Sequence, residues 1–273
     1  MLIMEYMSKG SLATVIEKEK LSYIAKLNMA LNIAGRMRKL HGRKMIHRDI
    51  RPDNILVDED HTAKMGDLGI AYRIETRAQQ MVTNTGCISY MPLEFYQHKC
   101  DQSLDVFTFG LTLYFMFTEA SHAYQDEEHQ IILTKRSLIF QEIIERCVHH
   151  DPKQGPLTTE LEAIFTLYKR TFEKHAAINI FSYKNQPLSK QNGFFFDFYK
   201  SFHTRNNAAI EIQFARERAE SYDFTDSDAI KTAVFGILTK TILEKELEEK
   251  RIGNEESSNK DGDDSDGDNY DDD

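Results

Sequence analysis

Apolar positions recur along this chain with a period that changes from segment to segment. Leu2-Ile3-Met4 is a short apolar run ahead of the polar, glycine-containing Ser8-Lys9-Gly10-Ser11, the pattern of a strand ending in a turn. After Ser22, the residues Ile24, Leu27, Leu31 and Ala34 recur at helical spacing, which predicts a helix with Ser22 as its N-cap. Met45-Ile46 leads into HRDIRPDN, a polar, proline-containing loop. The apolar runs Ile55-Leu56-Val57 and Ala63-Lys64-Met65 flank acidic turn residues and predict a hairpin. No period holds from Gly66 to about Glu94, and irregular segments of that length inside a domain are usually functional or disordered. Helical patterns then dominate: a strongly apolar one (VFTFGLTLYFMF) opened by Asp105, a second over Ile139–Val148 and a third over Leu161–Tyr168. Residues 173–250 read as mostly helical, broken near Asn185-Gln186-Pro187 and again near Asn192-Gly193.

Composition narrows the classes. The chain has 273 residues, 41% hydrophobic and 29% charged, as expected of a folded protein with room for one large or two small domains. The net charge of −10 lies almost wholly in residues 254–273, which hold ten Asp or Glu against one Lys. The remainder is nearly neutral, so there is no basic stripe for nucleic acid. The tail, rich in Asp, Ser, Asn and Gly, buries too little apolar surface to offset chain entropy and is expected to be disordered. The longest apolar run, about Val106–Phe117, is too short to span a bilayer and predicts a buried core helix. Three cysteines, Cys87, Cys100 and Cys147, match neither a zinc spacing nor a disulfide framework and suit a reducing, cytoplasmic compartment.

The chemistry is carried by order and spacing together. His47-Arg48-Asp49 is followed by Asn54, then after a hairpin-length gap by Asp67-Leu68-Gly69. Met91-Pro92-Leu93-Glu94 closes the irregular segment, and Asp105 and Gly110 follow in DVFTFG. Phosphoryl transfer needs the reacting groups positioned and the charge on the transferring group neutralised. A carboxylate beside the attacking hydroxyl orients it and accepts its proton, a role that suits Asp49. Divalent metals take hard oxygen ligands, which the Asp67 carboxylate and the Asn54 amide oxygen offer. Gly69 permits a sharp turn after Asp67. Arg51 supplies a cation for the phosphate. Each triplet alone is a weak signal, and capping of turns is the ordinary use of Asp and Asn. Their joint order is a strong signal.

That set resembles the eukaryotic protein kinases over roughly residues 1–172, with the tyrosine-kinase-like and serine/threonine branch nearest in style. The resemblance implies a mainly helical large lobe with small β-hairpins, ATP and Mg²⁺ as cofactors, and a protein substrate. LIMEYMSKGSL then matches the last small-lobe strand and the hinge. By resemblance Met4 is the gatekeeper, the backbones of Glu5 and Met7 meet adenine, and Leu56 is the adenine floor. His47 is structural, Arg48 receives a phosphorylated Thr83 or Thr85, and Asp105 holds the catalytic-loop backbone besides capping its helix. The small lobe, with its glycine-rich loop and phosphate-pairing lysine, would lie upstream of Met1, so the chain is expected to begin at the hinge.

Several positions depart from the family. Leu68 replaces Phe, Leu93 replaces Pro, and Cys87 stands where serine/threonine kinases carry a Thr that contacts the catalytic Asp. Glu94 normally pairs with an Arg whose place here is taken by Gly155. The expected organisation is a kinase domain over 1–172, a helical extension over 173–252 and an acidic tail over 253–273. The expected function is transfer of the ATP γ-phosphate to Ser or Thr, towards which Pro52 tips the choice over Tyr. The competing reading is a half-kinase or pseudokinase that binds a protein partner through its large-lobe face or its extension. A small-molecule kinase is a weaker third.

Overall fold

The computed structural model describes residues 5–73, 86–96, 101–125, 129–178 and 183–219. The chain divides into two compact units, the first built from 1–205 with 223–227. The second contributes to the described residues only 206–219, the last turns of one helix. Leu2-Ile3-Met4, Thr83, Thr85, Cys100 and the acidic tail lie outside the described residues.

A two-residue strand β1 (Gly10–Ser11) leads into α1 (Leu12–Lys18), whose N-cap Ser11 accepts a hydrogen bond from the Thr14 N–H. The helix predicted after Ser22 is α2 (Tyr23–Gly42), and Ser22 caps it by accepting from the Ala25 N–H. Its buried stripe runs through Leu27, Ala30, Ala34 and Met37 with Met29 and Ile33 alongside, while Ile24 and Leu31 are only half-buried. β2 (Met45–Ile46) precedes the HRDIRPDN loop, and β3 (Ile55–Val57) pairs antiparallel with β4 (Ala63–Met65) as the predicted hairpin, Ile55 opposite Met65. Asp58 closes its turn by accepting from the Asp60 and Thr62 N–H groups. β1 adds to the far side of β3, giving a three-stranded sheet. In the segment without a period, strand β5 (Tyr72–Arg73) returns to pair with β2. The short helix α3 (Leu93–Tyr96) follows a 3-10 turn at Ile88–Tyr90.

The axis of the unit is α4 (Ser103–Thr118). It is apolar on all sides and buried along most of its length, as a core helix must be. It starts two residues before Asp105 and has no side-chain cap from Gln102. The N-cap reading of Asp105 is therefore wrong: its carboxylate is turned away from its own helix, for the reason given below. A hairpin that the sequence did not suggest, β6 (Ala123–Gln125) with β7 (Gln130–Ile132), follows. α5 (Gln141–Cys147) and α6 (Thr158–Ile178) occupy the remaining predicted helical stretches, and α2 packs along α6 with an Arg38–Glu162 ion pair between them.

α6 runs unbroken through positions 172 and 173, where the extension was expected to begin. After a 3-10 turn at Tyr183–Asn185, α7 (Leu188–Ala219) passes straight through Asn192-Gly193, so the second predicted break does not occur. Asn192 there accepts from the Tyr23 N–H at the head of α2, 2.9 Å away. Phe195, Phe198, Tyr199 and Phe202 are buried, and the Phe172 and Phe195 rings lie 4.7 Å apart. These four aromatic side chains are packing, and residues 188–204 belong to the same core as α4–α6. No helix among the described residues is long and apolar enough to cross a membrane.

Candidate active site

The HRDIRPDN loop is held from beneath by one carboxylate. Asp105 is fully buried, and its two oxygens accept from the His47 and Arg48 backbone N–H groups, each at 2.8 Å. Arg48 stands in the left-handed region at φ 72°, which turns successive N–H groups the same way. Those buried donors have no strand to pair with and require an acceptor. This demand draws Asp105 away from its helix terminus, and His41 Nε2 at 2.8 Å completes its shell.

His47 is buried: its Nε2–H donates to the Gly66 carbonyl at 2.9 Å, and its Nδ1 accepts from the Asp49 N–H at 3.4 Å. It ties the loop to the end of β4. Arg48 is also buried. Its Nε donates to the Ile70 carbonyl at 2.5 Å and its guanidinium lies over the Tyr72 ring. Desolvation lowers its pKa.

Asp49 is the focus of the site. Asn54 Nδ2 donates to the Asp49 carbonyl at 3.1 Å and to Oδ2 of its carboxylate. Arg51 Nε lies 3.3 Å from Oδ1 and hydrogen-bonds Oδ2 at 3.5 Å, while Arg51 Nη1 donates to Asp53 at 2.7 Å. Burial works against the Arg51 charge, but Asp49 and Asp53 outweigh it and hold its pKa above the ordinary value. One atom is left over: Asp49 Oδ1 is buried and accepts no hydrogen bond among the described residues. The nearby Arg51 charge offsets part of the cost of that unmade bond, and a ligand that donates to Oδ1 would remove the rest.

The hairpin returns the chain to this loop. Gly66 N–H donates to the Asn54 carbonyl at 2.8 Å, so Asn54 and Asp67 sit at the same end of β3–β4. Asp67 is left-handed at φ 49° and exposed, with Oδ1 accepting from the Gly69 N–H at 3.2 Å. Among the described residues both side-chain hydrogen bonds of Asn54 leave through Nδ2, and its amide oxygen accepts none. Two hard oxygens at one hairpin end suit a Mg²⁺ ion completed by phosphate and water. Among the described residues no group of three His, Cys, Asp or Glu forms a self-sufficient metal cage.

Ahead of β1, Lys64 holds both Glu5 carboxylate oxygens at 2.6 Å. The Met7 carbonyl accepts from Gly10 N–H at 3.1 Å. Leu56 is half-buried on β3 beside Gly66, where an added Cβ would meet its Cδ1 at 3.3 Å. The Cys87 thiol lies 3.4 Å from the Ser89 hydroxyl. Glu94 lines a small cavity with Ser103, Phe107, His149 and Gly155. No cation reaches it among the described residues, and burial, with Asp101 and Asp151 nearby, raises its pKa. His41, Asp53, Tyr90 and His122 belong to the surroundings of the site and were not singled out from the sequence. Only Asp53, inside HRDIRPDN, carried a local signal.

A sequence model of the protein tyrosine and serine/threonine kinase family matches residues 1–165. A probable LIM domain-containing serine/threonine-protein kinase of Dictyostelium discoideum is 37% identical over 115 residues, 41% of this chain and 18% of that protein. The leucine-rich repeat receptor-like serine/threonine/tyrosine-protein kinase SOBIR1 of Arabidopsis thaliana is 34% identical over 123 residues, 41% of this chain and 19% of its own length. The serine/threonine-protein kinase STY17 of the same plant is 28% identical over 175 residues, 59% of this chain and 30% of its own. The chain thus spans between a fifth and a third, in round terms, of these relatives' lengths.

Proposed function

The chain belongs to the protein tyrosine and serine/threonine kinase family, and from that premise we propose that it carries the acceptor side of a serine/threonine kinase site acting on proteins. The observation that carries this reading is Asp49 Oδ1, a buried carboxylate oxygen that faces Arg51 Nε at 3.3 Å but accepts no hydrogen bond among the described residues. A substrate hydroxyl would supply that hydrogen bond. Asp49 orients the hydroxyl and takes its proton as the hydroxyl oxygen bonds to the γ-phosphorus and the bond from that phosphorus to the ADP oxygen breaks. Arg51, kept cationic by Asp49 and Asp53, faces the phosphate charge. Asn54 and Asp67 would hold Mg²⁺, which when bound neutralises charge on the phosphate oxygens. The N–H of Met7 and the backbone of Glu5 would meet adenine above Leu56. Pro52 and the serine/threonine relatives support Ser or Thr over Tyr as acceptor. Free thiols at Cys87 and Cys147 support a reducing, intracellular setting.

A binding role without catalysis is favoured by the exposed apolar side chains Leu68, Ile88 and Leu93, which suit a protein partner. One experiment separates the two. The full-length protein is assayed for phosphate transfer from ATP to an arrayed peptide library, beside its Asp49→Asn variant. The catalytic reading expects transfer to Ser or Thr peptides and a loss of about 10²–10⁴-fold in the variant. Transfer that survives the substitution, or that goes only to Tyr, refutes it.

A further inference from the structure

Beyond the Asp49 site, the segment 86–96 is braced from behind at two points by the β6–β7 hairpin and the loop before it. His122 Nε2 lies 2.6 Å from the Ser89 carbonyl. A carbonyl only accepts, so Nε2 carries the proton. The His122 ring meets Tyr90 edge-on, centroids 4.7 Å apart at 89°. Its Nδ1 is buried without a hydrogen-bond partner among the described residues, and desolvation favours the neutral ring. At the second point, Tyr124 Oη lies 2.9 Å from Tyr96 Oη and 3.0 Å from His129 Nδ1, and the His129 ring stacks on Tyr96 at 3.9 Å.

What is braced is a wall of the Asp49 site. A Cβ on Gly86, whose φ is 149°, would lie 3.2 Å from the Arg48 carbonyl, so the segment runs directly against the catalytic loop. Met91 is fully buried with Ile46, Phe95 and Leu104. The Tyr90 phenol is raised in pKa by burial and then by Asp53, Cys87 and Asp49, whose charges reach it. Outward, Ile88 and Leu93 are 58% and 54% exposed. The wall is a single 3-10 turn with two internal backbone bonds, Tyr90 N–H to Cys87 and Met91 N–H to Ile88. Short 3-10 turns are weakly self-supporting.

The geometry points to His122 as a positioning residue that holds the 87–91 turn against the catalytic loop, by its hydrogen bond to Ser89 and its ring contact with Tyr90, for the incoming protein chain. This rests on the phosphoryl-transfer reading. His122 touches neither Asp49 nor Arg51 and acts only through the turn.

Two variants divide its contributions. His122→Phe keeps a ring and loses the donor, and His122→Gln places an amide N–H near the position of Nε2. The full-length protein is assayed with the best Ser or Thr peptide from the library. In His122→Phe the KM for peptide rises about 3–10-fold, the effect of one lost hydrogen bond. The KM for ATP and kcat stay within about twofold, and His122→Gln recovers most of the peptide KM. Amide exchange at Tyr90 and Met91 speeds up in the Phe variant and slows again in the Gln variant. An unchanged peptide KM in an active His122→Phe protein overturns this inference alone. Equal rises in both KM values overturn it as well, since they report general loosening. A wild-type protein that phosphorylates no peptide overturns the catalytic reading and this inference with it.

Discussion

Replacing Tyr199 by Phe removes one oxygen atom from the middle of the core and isolates a single interaction between α7 and the rest of the unit. Tyr199 Oη accepts from the Phe140 N–H at 2.9 Å. Phe140 is fully buried and left-handed at φ 60°, and its ring meets those of Phe117, Phe165, Tyr168 and Tyr199 at 5.0–5.5 Å. The Phe140 N–H precedes α5, so no helical carbonyl receives it. In Tyr199→Phe the ring packing stays and this donor is left buried without a partner. Such a group costs about 1–3 kcal/mol. For a unit of this size that corresponds to a fall in Tm of roughly 2–12 °C. Urea unfolding of both proteins, with the slope m compared, measures it directly. A difference under about 0.5 kcal/mol, the range of ordinary surface substitutions, refutes the reasoning. It would mean that α7 does not complete the core. If α7 does complete it, truncation before Leu188 removes four buried aromatic residues worth about 1.5–3 kcal/mol each. Their sum is comparable to the entire stability of a domain, about 5–15 kcal/mol, and the shortened chain should not fold.

Asp105→Ala leaves the buried His47 and Arg48 N–H groups without acceptors, which costs about 2–6 kcal/mol by urea unfolding, and Asp105→Asn, keeping one acceptor oxygen, falls in between. An Asp105→Ala protein as stable as wild type would remove Asp105 as the support of the loop. Glu94 should make stability fall as pH rises. Its folded pKa lies above the ordinary carboxylate value because of burial, Asp101 and Asp151, so between the two values the folded state binds more protons. That contribution is largest below the unfolded pKa and is lost as pH climbs through the folded one. Glu94→Gln should flatten this part of a urea-midpoint profile measured from pH 4.5 to 7.5, and identical profiles would rule the effect out.

The sequence alone determined what is local. Asp49, Arg51 and Asn54 lie within six positions, and the hairpin read from one short apolar run and a weaker second returns the chain to Asp67, so their grouping followed from spacing. Ser22 as a cap and α4 as a core helix were equally legible, because capping and all-round apolarity are properties of a segment by itself. Only the tertiary structure decided what each segment meets. The default for Asp105 was its own helix end, but two buried N–H groups 58 and 57 positions away had no other acceptor and took it. Asn192-Gly193 carries the signal of a break, and the aromatic burial along α7 overrides it with the helix intact. The hold of His122 on Ser89 spans 33 positions and that of Tyr199 on Phe140 spans 59. A hydrophobic pattern states that a face is buried but not against which partner, and a hydrogen-bonding side chain pairs with whatever unpaired group the packing brings within reach.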